Sequence, residues 1–160
     1  MSKKTEVRYK SLPVGLRNNN HLNIRKSASK WRGTRLPERK HPFVEFISPE
    51  YGYRAAFIIM CKSYRKRGLI SVADIITAWA PRSENNTSMY IARVMADLNL
   101  IYGWPGFKDY VTPEPNMAHA DFWCRLAFAM ARVEIGNNYI ARVDYRDIEA
   151  GYDLYLETLR

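Results

Sequence analysis

Apolar positions recur at helical spacing through most of the chain. Over residues 120–138, Ala120, Trp123, Ala127 and Met130 share one stripe at a 3.6-residue period, and Phe122, Leu126, Ala129 and Val133 widen it. Asp121, Arg125 and Arg132 take the opposite side, Gly136 ends the helix, and Asn137-Asn138-Tyr139 reads as a turn. Residues 55–61 are apolar on all sides, which predicts an enclosed central helix starting at Ser48-Pro49-Glu50 and closing at Arg65-Lys66-Arg67-Gly68. Ser71, with Asp74 three residues on, caps a helix that turns Ile75, Ile76 and Trp79 inward and ends at Pro81. Asn86 or Thr87 caps the next, whose inner face is Tyr90, Ile91, Val94, Met95 and Leu98. Asp144 caps a terminal helix carrying Ile148, Tyr152, Tyr155 and Leu159 on one stripe.

Two shorter stretches, 29–33 and 42–47, are aromatic and partly β-branched, and predict a small antiparallel hairpin around a basic loop at 34–41. Residues 1–13 read as a flexible basic arm, and 101–116, rich in proline, glycine and aromatics, as an irregular connection. The pattern predicts one domain over 14–160, mainly α, of about five helices, with the hairpin near its N-terminus giving it an α+β element.

One residue breaks the amphipathic rule. Glu134 falls on the apolar stripe, one turn beyond Met130, at the C-terminal tip of its helix. Desolvation there favours the protonated acid, and the negative end of the helix dipole acts in the same direction. A carboxylic acid that keeps its proton near neutral pH suits general-acid chemistry. The same position suits a buried ion pair with one of the chain's many arginines. The asparagine-rich segment Asn18-Asn19-Asn20-His21-Leu22-Asn23 is open in the same way, either as a set of Asx turns or as a loop presenting amides to a glycan.

The charge narrows the partners. The 160 residues hold 25 Lys+Arg against 16 Asp+Glu, a formal charge of +9, which suits nucleic acid, an anionic membrane surface or an acidic cell wall. Cys61 and Cys124 lie in apolar helical stretches and read as core residues, and His21, His41 and His119 have no ligand spacing, so neither a metal nor a cofactor is expected. No secretory signal and no transmembrane span is visible, and no zinc-finger or RNP signature marks a nucleic-acid reader.

An ordered series of motifs carries a resemblance. It consists of Leu16-Arg17-Asn18-Asn19-Asn20, Leu22-Asn23-Ile24-Arg25, Trp31-x-Gly33, Phe43-x-x-Phe46-x-Ser48-Pro49-x-Tyr51-Gly52-x-Arg54-Ala55 and Trp79-Ala80-Pro81-x-x-Glu84-Asn85-x-Thr87-x-x-Tyr90-Ile91. It resembles a family of phage and prophage proteins described as virion structural proteins and related to the muralytic protein of enveloped RNA phages, with His21 where that family usually has proline. The resemblance implies a lysozyme-like fold and activity on peptidoglycan. The segments at 20–25, 31–33 and 43–46 also echo the stretch after the catalytic glutamate in cell-wall glucosaminidases, yet only Glu6, in the basic arm, precedes them here. A circular permutation would reconcile the two, with residues 130–138 supplying the helix end and 17–47 the loop and sheet beside it.

On this reading Glu134 is the general acid, Glu45 or Glu84 is the second carboxylate, and Asn18, Asn19, Asn20, Asn23, Trp31, Asn85, Asn138 and Tyr139 contact the glycan. Without a second carboxylate, the substrate's own N-acetyl group serves and the chemistry becomes that of a lytic transglycosylase. Glu84 also suits plain capping of the helix that comes after it, and Glu45 alternates with apolar neighbours as a solvent-facing strand residue would. Such a protein would act from the virion, or from the host cytoplasm after release to the cell wall. The alternatives are a non-enzymatic virion or nucleic-acid packaging protein, and an endopeptidase acting on the peptide cross-link.

Overall fold

The computed structural model describes residues 2–5, 11–98 and 110–160, so the expected arm at 1–13 and connection at 101–116 lie partly outside the described residues. A helical turn, α1, spans Val14–Arg17. Helix α2, Pro49–Ile58, runs directly into a π-helical segment, Ile59–Tyr64. Then come α3, Val72–Trp79, and α4, Thr87–Asp97. A 3₁₀ turn at Met117–His119 leads into α5, Ala120–Ile135, and another at Ile140–Arg142 precedes α6, Tyr145–Glu157. The chain is mainly helical, as its periodicity predicts.

Three helix starts follow the predicted capping chemistry. Ser71 Oγ accepts from the Asp74 N–H at 3.0 Å, and Asp144 Oδ1 accepts from that of Arg146 at 2.9 Å. Of the two candidates before α4, Asn86 is the cap, accepting from Met89 N–H at 3.2 Å, while the buried Thr87 hydroxyl donates to Ala80 O at 2.5 Å. Ser48 occupies the N-cap position of α2 without a side-chain capping bond.

The buried apolar side chains form one contiguous cluster. Helix α5 runs through it and is covered further round than its stripe predicts: Trp123, Leu126, Ala127 and Met130 are fully enclosed, and Cys124, Ala131 and Ile135 are buried too. Helices α2 and α6 pack almost backbone to backbone at Gly151, where a Cβ would stand 2.5 Å from Tyr53 Cβ and 2.9 Å from Glu50 O. Beside that contact the Phe57 and Tyr152 rings meet edge-on, with centroids 5.0 Å apart.

The small hairpin is not formed as a ladder. Residues 43–46 lie between two short flanking segments, joined by isolated antiparallel bridges, Arg25 to Phe43 on one side and Thr34 to Phe46 on the other. Val44 N–H donates to Ile24 O and Lys26 N–H to Pro42 O, while Arg35 N–H donates to Glu45 O and Ile47 N–H to Gly33 O. The flanks stay short because the chain turns at Asn23 and Gly33, both at positive φ (54° and 81°), which strand geometry excludes. With both edges and both faces covered, Val44, Glu45 and Phe46 are all buried, so Glu45 does not face solvent as simple alternation would have it.

Candidate active site

Glu134 sits in the last turn of α5, ahead of Gly136, whose φ of 92° ends the helix. Its carboxyl is half-buried and bridges two distant parts of the chain. Asn23 Nδ2 donates to Oε2 at 2.9 Å, and the Tyr90 hydroxyl donates to Oε1 at 3.1 Å. Burial pushes the carboxyl above its ordinary value; the bonds from Asn23 and Tyr90 pull the other way without cancelling it. No ion pair among the described residues includes Glu134. The two arginines of its own helix are engaged elsewhere, Arg132 with Asp97 at 3.3 Å and Arg125 with Asp121 at 3.8 Å. Tyr90, buried and raised well above the usual phenol range mainly by desolvation and then by Glu134, keeps its proton and remains a donor.

The asparagine loop delivers Asn23 to this carboxyl. Gly15 in α1 lies against the end of α5, where an added Cβ would be 3.0 Å from Ile135 Cδ1 and 3.1 Å from Asn23 Oδ1. Asn19 and Asn23 both adopt left-handed backbone conformations, φ 51° and 54°, which asparagine tolerates better than most residues. Asn20 is a clip: Nδ2 donates to Ile24 O at 3.0 Å and Val44 O at 2.9 Å, and Oδ1 accepts from Ile24 N–H at 2.9 Å. Asn19 Nδ2 donates to Phe46 O at 3.1 Å, and the Asn18 carbonyl accepts from Phe46 N–H at 2.8 Å. The loop therefore divides its work, with Asn18, Asn19 and Asn20 fixing the backbone and Asn23 reaching the carboxylate. Asn23 Oδ1 and Asn18 Nδ2 are buried without a partner.

Asn23 also lines a groove of about 340 Å³ with Arg25, Trp31, Ile59, Ser63, Tyr64 and Trp79. The π-helical segment contributes Ile59, Ser63 and Tyr64, and irregularities of this kind often re-aim side chains at functional sites. Trp79 Nε1 donates to Leu22 O at 3.2 Å and is thereby fixed, whereas Trp31 Nε1 is buried with no partner. Aromatic faces alternating with polar atoms are what a sugar ring needs, since its C–H face is apolar and its rim carries hydroxyls. Tyr90 and Val133 line a second depression of about 200 Å³ with Asn85, Asn86, Met89 and Arg93, and Glu134 itself lines neither of the two.

The remaining candidates make no hydrogen bond or ion pair with Glu134 among the described residues. Glu45 is 5% exposed and held in an ionic cluster, 2.7 Å from Arg39 Nη2 and 3.9 Å from Arg35 Nη1, with His41 Nε2 also in contact. Desolvation pushes it up, but the His41 and Arg39 hydrogen bonds outweigh that and hold it below its ordinary value. It is a structural anion by environment. Glu84 is exposed in the turn before α4, Asn85 is exposed with Nδ2 donating to Pro81 O at 3.3 Å, Asn138 is exposed, and Tyr139 is half-buried.

No family model matches the chain. The chain is 41% identical over 80 residues to Protein P5 of Pseudoalteromonas phage PM2, a match covering 48% of this chain and 50% of that protein. It is similar to a phage protein. The chain thus spans about half the length of the curated relative it matches.

Two groups at this site escaped the sequence reading. Tyr90 reads as part of an apolar helix face, although a buried tyrosine hydroxyl needs a partner, and that requirement is a usable signal. His21 is buried, with Nδ1 2.6 Å from the Tyr53 hydroxyl; burial pulls it down to about 4, so it is neutral in the folded protein at pH 7. It anchors the asparagine loop to α2.

Proposed function

We propose that the chain is a phage-associated protein that cleaves the glycan strand of peptidoglycan, with Glu134 as general acid. The observation that carries this reading is the environment of Glu134. A half-buried carboxyl with its proton affinity raised and no cation on it is bonded to Asn23, which lines an aromatic groove, and to Tyr90, which lines a second depression. Protonated Glu134 gives its proton to the glycosidic oxygen as the bond to the anomeric carbon breaks. Asn23 and Tyr90, bonded to its two oxygens, fix its orientation before and after transfer.

The carbon left behind is an oxocarbenium ion. Glu45 is tied into its cluster and Glu84 is exposed, and no carboxylate is among the groups acting on Glu134. This favours stabilisation by the substrate's neighbouring N-acetyl group. The Glu134 carboxylate then takes a proton either from water, which adds to the anomeric carbon, or from a hydroxyl of the same sugar, which closes a ring. A circularly permuted lysozyme-like arrangement accounts for this geometry, because a loop near the N-terminus meets a helix end 111 residues later in the chain.

The second reading is a virion protein without catalysis, favoured by the phage relative and by the +9 charge. Turbidity of purified peptidoglycan separates the two. The protein clears it and a folded Glu134→Gln variant does not; equal clearing by both, or by neither, removes the catalytic reading.

A further inference from the structure

The Tyr90 hydroxyl stands between two acceptors on α5. Glu134 Oε1 is 3.1 Å away, and Met130 O, one turn earlier on the same helix, is 3.5 Å away. A phenol has one proton and two lone pairs, so it donates to one of these oxygens at a time. With Glu134 ionised, the charged oxygen takes the bond and Met130 O is passed over. With Glu134 protonated, the two carboxyl oxygens are not equivalent. Oε2 faces Asn23 Nδ2 at 2.9 Å, a group that only donates, so a proton placed in that contact would set donor against donor. Oε1 faces a hydroxyl, which can reverse: Tyr90 Oη accepts from Oε1–H and turns its own proton to Met130 O. Every polar atom in the row from Asn23 Nδ2 to Met130 O then has a partner. The side chains acting on Glu134 are Asn23 from the loop and Tyr90 from α4, while Arg132 is held by Asp97 of α4 and Arg125 by Asp121.

Resting on the glycan-cleaving reading, we propose that Tyr90 is a positioning residue, which places the transferable proton of Glu134 on Oε1 by reversing its own hydroxyl between Oε1 and Met130 O. On transfer the Oε1–H bond breaks and the proton joins the glycosidic oxygen. The electron pair of the bond to the anomeric carbon leaves with that oxygen. Tyr90 turns its proton back from Met130 O to Oε1, so the new carboxylate charge meets a donor without any heavy atom moving. When the carboxylate recovers a proton, the hydroxyl reverses again. Oε2 accepts from Asn23 in both states.

Nuclear magnetic resonance tests this in the resting protein, without substrate. Glutamate carboxyl and tyrosine Cζ carbons and the asparagine side-chain amides are followed through a pH titration, with assignments made through the backbone. The Tyr90 Cζ signal should shift with the Glu134 midpoint, while the Asn23 side-chain amide stays protected from exchange on both sides of it. Tyr90→Phe should raise the Glu134 midpoint, because the anion loses a charge-assisted donor and the acid loses only a neutral bond. On soluble peptidoglycan fragments, its kcat should fall about 10²-fold at unchanged KM, and the alkaline limb of its pH profile should move up with the midpoint. Circular dichroism should show the variant folded, since the ring stays in place. A purely structural hydroxyl would leave the Glu134 midpoint unchanged in Tyr90→Phe, and that result overturns the proposal. So does an Asn23 amide that loses its protection as Glu134 protonates, a result that puts the proton on Oε2 and needs no variant. If the native protein releases no fragments yet Tyr90 and Glu134 titrate together with Asn23 still protected, the cleavage reading falls and the role of Tyr90 stands. If it cleaves and Tyr90→Phe leaves the midpoint unchanged, the reverse holds.

Discussion

Glu134→Gln separates a proton donor from a structural anion by the sign of its effect on stability. The glutamine oxygen still accepts from Asn23 Nδ2, 2.9 Å away in the native protein. Its NH2 group donates to the Tyr90 oxygen, and the Tyr90 proton then goes to Met130 O, 3.5 Å away. Both contacts survive and the desolvated charge is gone. At pH 7 the variant should equal or exceed the native protein by up to about 1 kcal/mol, which in a chain of this size is about 2–4 °C in Tm. The pH dependence has a definite sign. Because the folded carboxyl is raised above 4.5, its contribution to stability is complete below pH 4.5 and is lost as pH rises through the folded value. The glutamine variant's advantage should therefore be absent below pH 4.5 and present at neutral pH. Glu134→Ala is the control. It leaves Asn23 Nδ2 unpartnered beside an Oδ1 that already lacks a partner, and should cost about 1–3 kcal/mol. Cell-wall clearing by Glu134→Gln should fall about 10²–10⁴-fold. Thermal melts across pH with a clearing assay read all of this. A neutral-pH Tm several degrees below native for Glu134→Gln would mean that the carboxylate neutralises a buried cation, and the reasoning would be refuted.

Asn20→Ala removes three buried bonds, to Ile24 O, Val44 O and Ile24 N–H, and should cost about 2–4 kcal/mol by chemical denaturation. His21, with a folded value of about 4 against 6.5, contributes stability that is complete above pH 6.5 and is lost as pH falls towards 4; His21→Gln should flatten the stability profile in that window. Gly151→Ala forces a Cβ to within 2.5 Å of Tyr53 Cβ and should lower stability by about 1–3 kcal/mol, read as a drop in Tm.

The helices were legible from their period and, in three of them, from their caps: Ser71, Asn86 and Asp144 cap where the residue type says they should. Glu134 was conspicuous because a carboxyl on an apolar stripe contradicts its surroundings. Its partners were not equally visible. Asn23 meets it across 111 residues of chain, and within the sequence it is one of four similar asparagines, three of which fix the loop. What singles Asn23 out is its place beside Gly15 where that residue meets Ile135 at the end of the Glu134 helix, a tertiary fact. The aromatic, β-branched pattern at 42–47 predicted a hairpin strand where only isolated bridges form, and it could not reveal that Val44, Glu45 and Phe46 are all covered, which turns Glu45 from a surface residue into a buried anion.

The central claim, that Glu134 protonates a glycosidic bond, is met most directly by mass spectrometry of fragments released from purified peptidoglycan. The account predicts sugar fragments with their peptides still attached, carrying either a new reducing end or an intramolecular anhydro ring, and none from Glu134→Gln. Released peptides from intact glycan strands, or identical fragments from native protein and Glu134→Gln, would contradict it.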